Sequence, residues 1–184
     1  MIIQRLSALF VAFVVFALAP AAWASPIRFT GEFDPANWTL TLAASNGGVD
    51  VSGAPLFITV LGTDGYDDAV AGDTEYTITV PQDISLTFWW QYATHDRDGA
   101  RYDPAGYVLN GGRIQLSGNQ GGISQWGEVS LDLTAGDTFG FWVSSDDNLY
   151  GPAEMTVSGV PEPATVAVVG LGLLAIGFLR RKRA

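Results

Sequence analysis

Between Ser25 and Gly159 apolar residues recur at every second position, and that period fixes the fold class. Ile84, Leu86, Phe88, Trp90 and Tyr92 share one parity, with Ser85, Thr87, Trp89 and Gln91 on the other. Val129, Leu131 and Leu133 alternate with Ser130 and Asp132, and Phe139, Phe141 and Val143 with Gly140, Trp142 and Ser144. Trp38–Leu42 and Tyr76–Val80 alternate in the same way. A period of two belongs to an extended chain with one face buried, whereas an amphipathic helix repeats every 3.6 residues. Further strands are expected at 27–33, 56–61, 106–109, 112–116 and 153–158. Nine or ten short strands separated by Gly, Asp, Asn and Pro predict an all-β body, an antiparallel β-sandwich or jelly roll. Ile84, Leu86, Phe88, Trp90, Leu131, Leu133, Phe139 and Phe141 are its expected inter-sheet core.

Turn chemistry agrees with that reading. Asn110-Gly111 is a hairpin dipeptide between 106–109 and 112–116,. Ala71-Gly72-Asp73-Thr74 and Ala135-Gly136-Asp137-Thr138 repeat one string ahead of two strands, and the same turn with a positive-φ glycine is expected at both,. The body, residues 25–159, has 18 acidic and four basic residues, a net charge of −14. Such a field repels nucleic acid and anionic lipid. The chain has no cysteine, which excludes disulfides, thiol catalysis and thiolate metal sites,.

The two ends differ from the body. Arg5 precedes an apolar run from Leu6 to Leu18, interrupted by Ser7, and Ala22-Trp23-Ala24 follows. A positive residue, an apolar stretch and a small-residue site make residues 1–24 an expected signal peptide. The alternative, an uncleaved anchor, needs about 20 apolar residues, and this run is shorter. At the other end Pro161-Glu162-Pro163 leads into a charge-free apolar stretch over 164–179, then Arg180-Arg181-Lys182-Arg183. As a helix that stretch would reach about 24 Å, close to the lower limit for a membrane span. The terminal cations belong on the cytoplasmic side, which leaves the body outside.

This three-part tail, residues 160–184, resembles the PEP-CTERM protein-sorting signal. The resemblance implies an exosortase-type membrane peptidase as partner, an inner-membrane precursor, cleavage near Pro161-Glu162-Pro163 and delivery to the cell surface or extracellular matrix. It also implies an exopolysaccharide or biofilm setting, and it says nothing of the body's ligand.

Chemistry in the body has few footholds. His95 is the one histidine, too few for an ordinary zinc site,. No Gly-x-Ser-x-Gly elbow accompanies it,. Paired carboxylates for glycoside hydrolysis have candidates, but no spacing selects a pair. A non-enzymatic protein is expected, with a secreted hydrolase as one alternative. A calcium-dependent carbohydrate-binding module is the other. For calcium the candidate ligands are Asp96, Asp98 and Asp103, with Gly99 for a sharp turn, joined by Asp146 and Asp147,. Asp64, Asp67 and Asp68 form a third acidic cluster. The competing reading makes all three solvated loops built on Asx turns. For carbohydrate, Trp89 and Trp142 lead, because alternation turns both away from the core. Tyr92, Tyr102, Tyr107, Trp126 and Tyr150 are further candidates.

Overall fold

The computed structural model of the chain describes residues 24–65, 70–146 and 148–159. The signal-peptide segment, the sorting tail with Pro161, Glu162, Pro163 and the terminal cations, and Asp67, Asp68 and Asp147 lie outside the described residues. Among the described residues no helix is long and apolar enough to cross a membrane.

The body is all-β. Among the described residues eleven strands follow in order: β1 (Ser25–Pro26), β2 (Thr39–Ala43), β3 (Gly48–Asp50), β4 (Phe57–Leu61), β5 (Gly72–Thr79), β6 (Ile84–Thr94), β7 (Ala105–Leu109), β8 (Gly112–Gln115), β9 (Ser124–Leu133), β10 (Thr138–Ser145) and β11 (Ala153–Ser158). They form two sheets. One runs β2-β5-β10-β7-β8, and all its pairings are antiparallel. The other is organised on β6, which pairs with β9, β11 and β1 and continues through β11 to β4 and β3. β9 lines one edge of β6 from Ile84 to Ala93. β11 pairs with Trp89 to Thr94, and β1 runs parallel beside Leu86 and Thr87. Since β9 occupies one edge, β1 and β11 share the other, end to end. The body therefore starts and finishes at the same place, and a Cβ on Gly159 would lie 2.1 Å from the Ile27 carbonyl oxygen.

The inward parity of both sheets meets in one core. Leu86, Phe88, Trp90, Leu133, Phe139 and Phe141 are buried as expected, and Ile84 and Leu131 pack against them half-buried. Trp38 enters from the loop before β2. Its ring lies nearly parallel to Tyr76 (centroids 5.1 Å apart) and to Phe141 (5.8 Å). Its indole N–H donates to the Phe33 carbonyl at 3.0 Å, so the one polar atom of the ring is satisfied inside the core,.

Two expectations change. Residues 27–33 are not a strand. Gly31 takes φ +61°, and two 3₁₀ turns follow, Gly31–Phe33 and Pro35–Asn37. Asp34 caps the second, its Oδ1 accepting the Ala36 N–H at 3.0 Å with Pro35 at the first turn position,. The repeated Ala-Gly-Asp-Thr string also serves two conformations. Gly136 takes φ +93° in a turn where the Asp137 carboxylate accepts the Thr134 N–H and the Asn110 amide. Gly72 is already part of β5, and a Cβ there would lie 2.4 Å from the Ala44 carbonyl oxygen. The Asn110-Gly111 hairpin is as expected, with φ +52° and +79° in a two-residue turn,.

Burial sets the scale of side-chain effects. Trp38→Ala is expected to lower unfolding free energy by about 3–5 kcal/mol. Trp126→Ala, on the surface, should change it by less than ~0.5 kcal/mol. Urea unfolding followed by circular dichroism measures both.

Candidate functional site

The outer face of the β6 sheet carries the strongest candidate. Along β6 the outward residues are Ser85, Thr87, Trp89 and Gln91, and along β9 they are Trp126, Glu128, Ser130 and Asp132. Most of this face is polar and closes on itself. Ser85 donates to Asp132 at 2.5 Å, Thr87 and Ser130 share a hydrogen bond of 2.6 Å, and Thr59 and Thr156 share one of 2.9 Å on the neighbouring strands. Two indoles interrupt it on β6 and β9, while Phe57 and Leu61 are the outward apolar residues of β4. Trp126 is 70% exposed and lies next to the half-buried Trp89, their centroids 6.3 Å apart and their planes 23° from parallel. Glu128 stands directly opposite Trp89 in the ladder, and Gln91 opposite Trp126. The result is a shallow aromatic platform edged by hydrogen-bonding groups.

Alternation predicts an outward Trp89, but the run that begins at Val129 leaves Trp126 outside it and ranks it below Trp142. The structure starts β9 at Ser124. Alternation is hidden there by Gly127, which occupies an inward position. A Cβ at Gly127 would lie 2.9 Å from the Trp90 indole, so that ring fills the space a core side chain would take. With Gly127 read as inward, Trp126 is outward by parity.

Trp142 does point away from the core, as alternation requires, but it is not available to a ligand. It is 5% exposed and stands with Val108 outside the inter-sheet core. Arg113 covers it, its guanidinium carbon 5.1 Å from the ring centroid. The indole N–H donates to the Tyr107 carbonyl at 3.2 Å. Arg113 is itself fixed by Asp73 at 2.8 Å and Glu75 at 2.6 Å. Burial pushes the Asp73 carboxyl up, but hydrogen bonds from Arg113 and Ser144 and the Arg113 charge outweigh it, and its pKa ends below the ordinary value.

The aspartate candidates separate. Asp96 and Asp103 are buried and meet at Thr94. The Thr94 hydroxyl donates to Asp103 Oδ2 at 2.7 Å and accepts the Asp96 N–H at 3.0 Å. Asp98 is surface-exposed and 3.8 Å from Arg97, whose guanidinium lies over the Tyr150 ring at 3.6 Å. Asp146 is exposed, and its backbone N–H donates to the Tyr102 carbonyl. Asp64 belongs to a different contact, its Oδ1 accepting the Gly151 N–H at 3.2 Å. Gly99 makes the expected sharp turn at φ +93°. Among the described residues no three His, Asp or Glu side chains gather as a metal-ligand set. His95 is exposed and lines a shallow pocket with Asn46 and Glu154. Tyr92 is buried in the core, its hydroxyl donating to the Asp103 carbonyl.

Residues 159–183 match the PEP-CTERM protein-sorting motif. No curated protein matches the chain. Among solved structures it is similar to a family 35 carbohydrate binding module from Clostridium thermocellum, 16% identical over 74% of this chain and 100% of that one, with a TM-score of 0.37. It is similar to a carbohydrate binding module of Cellvibrio mixtus lichenase 5A in complex with cellotriose (14% identity, 66% and 91% of the two chains, TM-score 0.32). A third is TmCBM61 in complex with beta-1,4-galactotriose (10% identity, 75% and 94%, TM-score 0.38). Likenesses this remote say nothing about what this chain binds.

The Arg113 bridge carries a pH signature. A carboxyl with a lowered folded pKa contributes stability that is complete above its unfolded value, near pH 4, and is lost as pH falls through the folded value. Arg113→Gln should therefore lower Tm at pH 7, and its gap from the unsubstituted protein should narrow as pH falls from about 5 to below 3. Tm measured across that range checks it.

Proposed function

We propose that this chain, which carries the PEP-CTERM protein-sorting motif at residues 159–183, is an exported, non-enzymatic surface or matrix protein whose β-sandwich holds a polysaccharide on the Trp89–Trp126 platform. The observation that carries the reading is a pair of nearly parallel indoles, Trp126 exposed and Trp89 half-buried, on a mostly polar stretch of the sheet face. Leaving an indole 70% exposed forgoes the burial that makes a tryptophan stabilising,. A pyranose ring offers the matching surface, with a flat face of C–H groups to lie on the indoles and hydroxyls around its edge. Gln91 and Glu128 stand where those hydroxyls would reach.

The sorting signal supports export of the body and a membrane-held precursor that is later processed. An exosortase-type peptidase is the partner that such a tail requires. The body's charge narrows the polysaccharide class. With 18 acidic and four basic residues it repels a polyanion, so a neutral glycan suits the platform,. Catalysis has little support by comparison, since the one histidine is exposed beside a different set of strands.

The test is affinity electrophoresis of the full chain through gels containing neutral and acidic polysaccharides. Retardation by a neutral polymer is expected. Trp126→Ala and Trp89→Ala should each weaken it tenfold or more, a change of about 1.4 kcal/mol, at little cost in Tm. Trp142→Phe should leave it unchanged. Retardation by no polymer, or equal retardation of all three variants, rejects the platform.

The tail gives a separate expectation. Glu162→Ala should leave the precursor in the membrane fraction with its tail attached. Fractionation of the producing cells and the mass of the recovered protein read this directly.

A further inference from the structure

The loop from β6 to β7 buries a charge that its own chain leaves half-satisfied. Asp96 is 3% exposed. Its Oδ1 accepts the Asp98 N–H at 2.5 Å, while its Oδ2 is enclosed with no hydrogen-bond partner. A buried carboxylate oxygen without a donor or cation is expensive, and native structures seldom tolerate one without a reason. The neighbouring cations do not supply it. Arg97 turns outward to Asp98 and Tyr150, and Arg101 lies 5.7 Å from the Tyr102 ring.

A second carboxylate stands close by. Asp103 is fully buried, and Thr94 links it to the Asp96 backbone through one hydroxyl. From the core side the Tyr92 hydroxyl donates to the Asp103 carbonyl at 2.8 Å. Two buried carboxylates thus lie about Thr94 at the C-terminal end of β6, in the connection over residues 96–103.

We propose that Asp96 and Asp103 are the two anionic arms of a buried calcium site, completed by backbone carbonyl oxygens of the 96–103 loop. The donors are hard oxygens without imidazole or thiolate, which suits Ca²⁺ over zinc. Calcium accepts an irregular shell of six to eight oxygens, whereas magnesium demands a near-octahedral site and keeps its waters. The site is separate from the tryptophan platform and does not depend on it. Its effect would be structural. The 96–103 loop carries the chain from the β6 sheet to the β10 sheet, and its Tyr102 carbonyl accepts the N–H of Asp146 from the β10–β11 connection. One ion there would tie two crossovers of a sandwich that has no disulfide.

The experiment uses the full chain purified in detergent. Tm is followed by tryptophan fluorescence in EGTA, in 1 mM CaCl₂ and in 1 mM MgCl₂, and bound Tb³⁺ is read by its sensitised luminescence. Calcium is expected to raise Tm by about 5–10 °C when its concentration is ~100-fold above Kd, and to displace Tb³⁺. Magnesium should have a much smaller effect. Asp96→Asn and Asp103→Asn should lose the calcium response, and Asp98→Asn, at an exposed position, should keep it. If neither buried variant folds, a saturable response of one calcium per chain in the unsubstituted protein and in Asp98→Asn supports the site. No Tm change at millimolar calcium, or a response abolished by Asp98→Asn while Asp96→Asn retains it, overturns the proposal.

Discussion

The pleat of β6 is the constraint on which the rest of the structure depends. Its eleven residues pair with three other strands, so its register fixes theirs. Leu86, Phe88, Trp90 and Tyr92 go inward and are buried, and Trp89 and Gln91 go outward. A slip of one residue would exchange these sets and place Gln91 in the core and Phe88 in water. The inner aromatic packing therefore also fixes the platform. Phe88 meets Phe141 at 5.2 Å and Phe139 at 6.0 Å, edge-on and tilted, which leaves Trp89 one orientation relative to β9.

Most of the body was legible in the sequence because alternation samples one strand at a time. The 84–92 and 139–143 runs lie within β6 and β10, and 153–158 coincides with β11. Short or interrupted patterns were harder. β3, Gly48–Asp50, is too short to show a period. The 27–33 segment alternates in hydropathy, yet a positive-φ glycine and an aspartate-proline cap turn it into 3₁₀ structure. At the candidate site Trp89 was legible from parity alone. Trp126 was obscured by Gly127, whose missing side chain is explained only by where Trp90 lies across the pair.

Trp142 shows where parity stops being informative. Alternation specifies the face a side chain leaves from, but not what covers that face. β10 is the central strand of its sheet, and the cover comes from Arg113 on β8, two strands away. A guanidinium held by two carboxylates is a rigid roof, whereas a single surface ion pair contributes little,. The two outward tryptophans thus differ by a tertiary fact. Glu128 and Gln91 leave the rings on β6 and β9 open, while Asp73, Glu75 and Arg113 close the ring on β10.

The same topology bears on how a tethered body could work. β11 runs from the Thr94 level of β6 back toward Trp89, and Gly159 continues beside Ile27, so the body ends toward the start of β6. The 96–103 loop lies at the far end of that strand. Trp89 stands opposite Ser158, the last residue of β11, so the tryptophan platform lies one strand away from the chain's point of exit. A polymer lying across the platform would therefore pass beside the segment that leads into residues 159–183, and removal of the tail would change what borders the two rings.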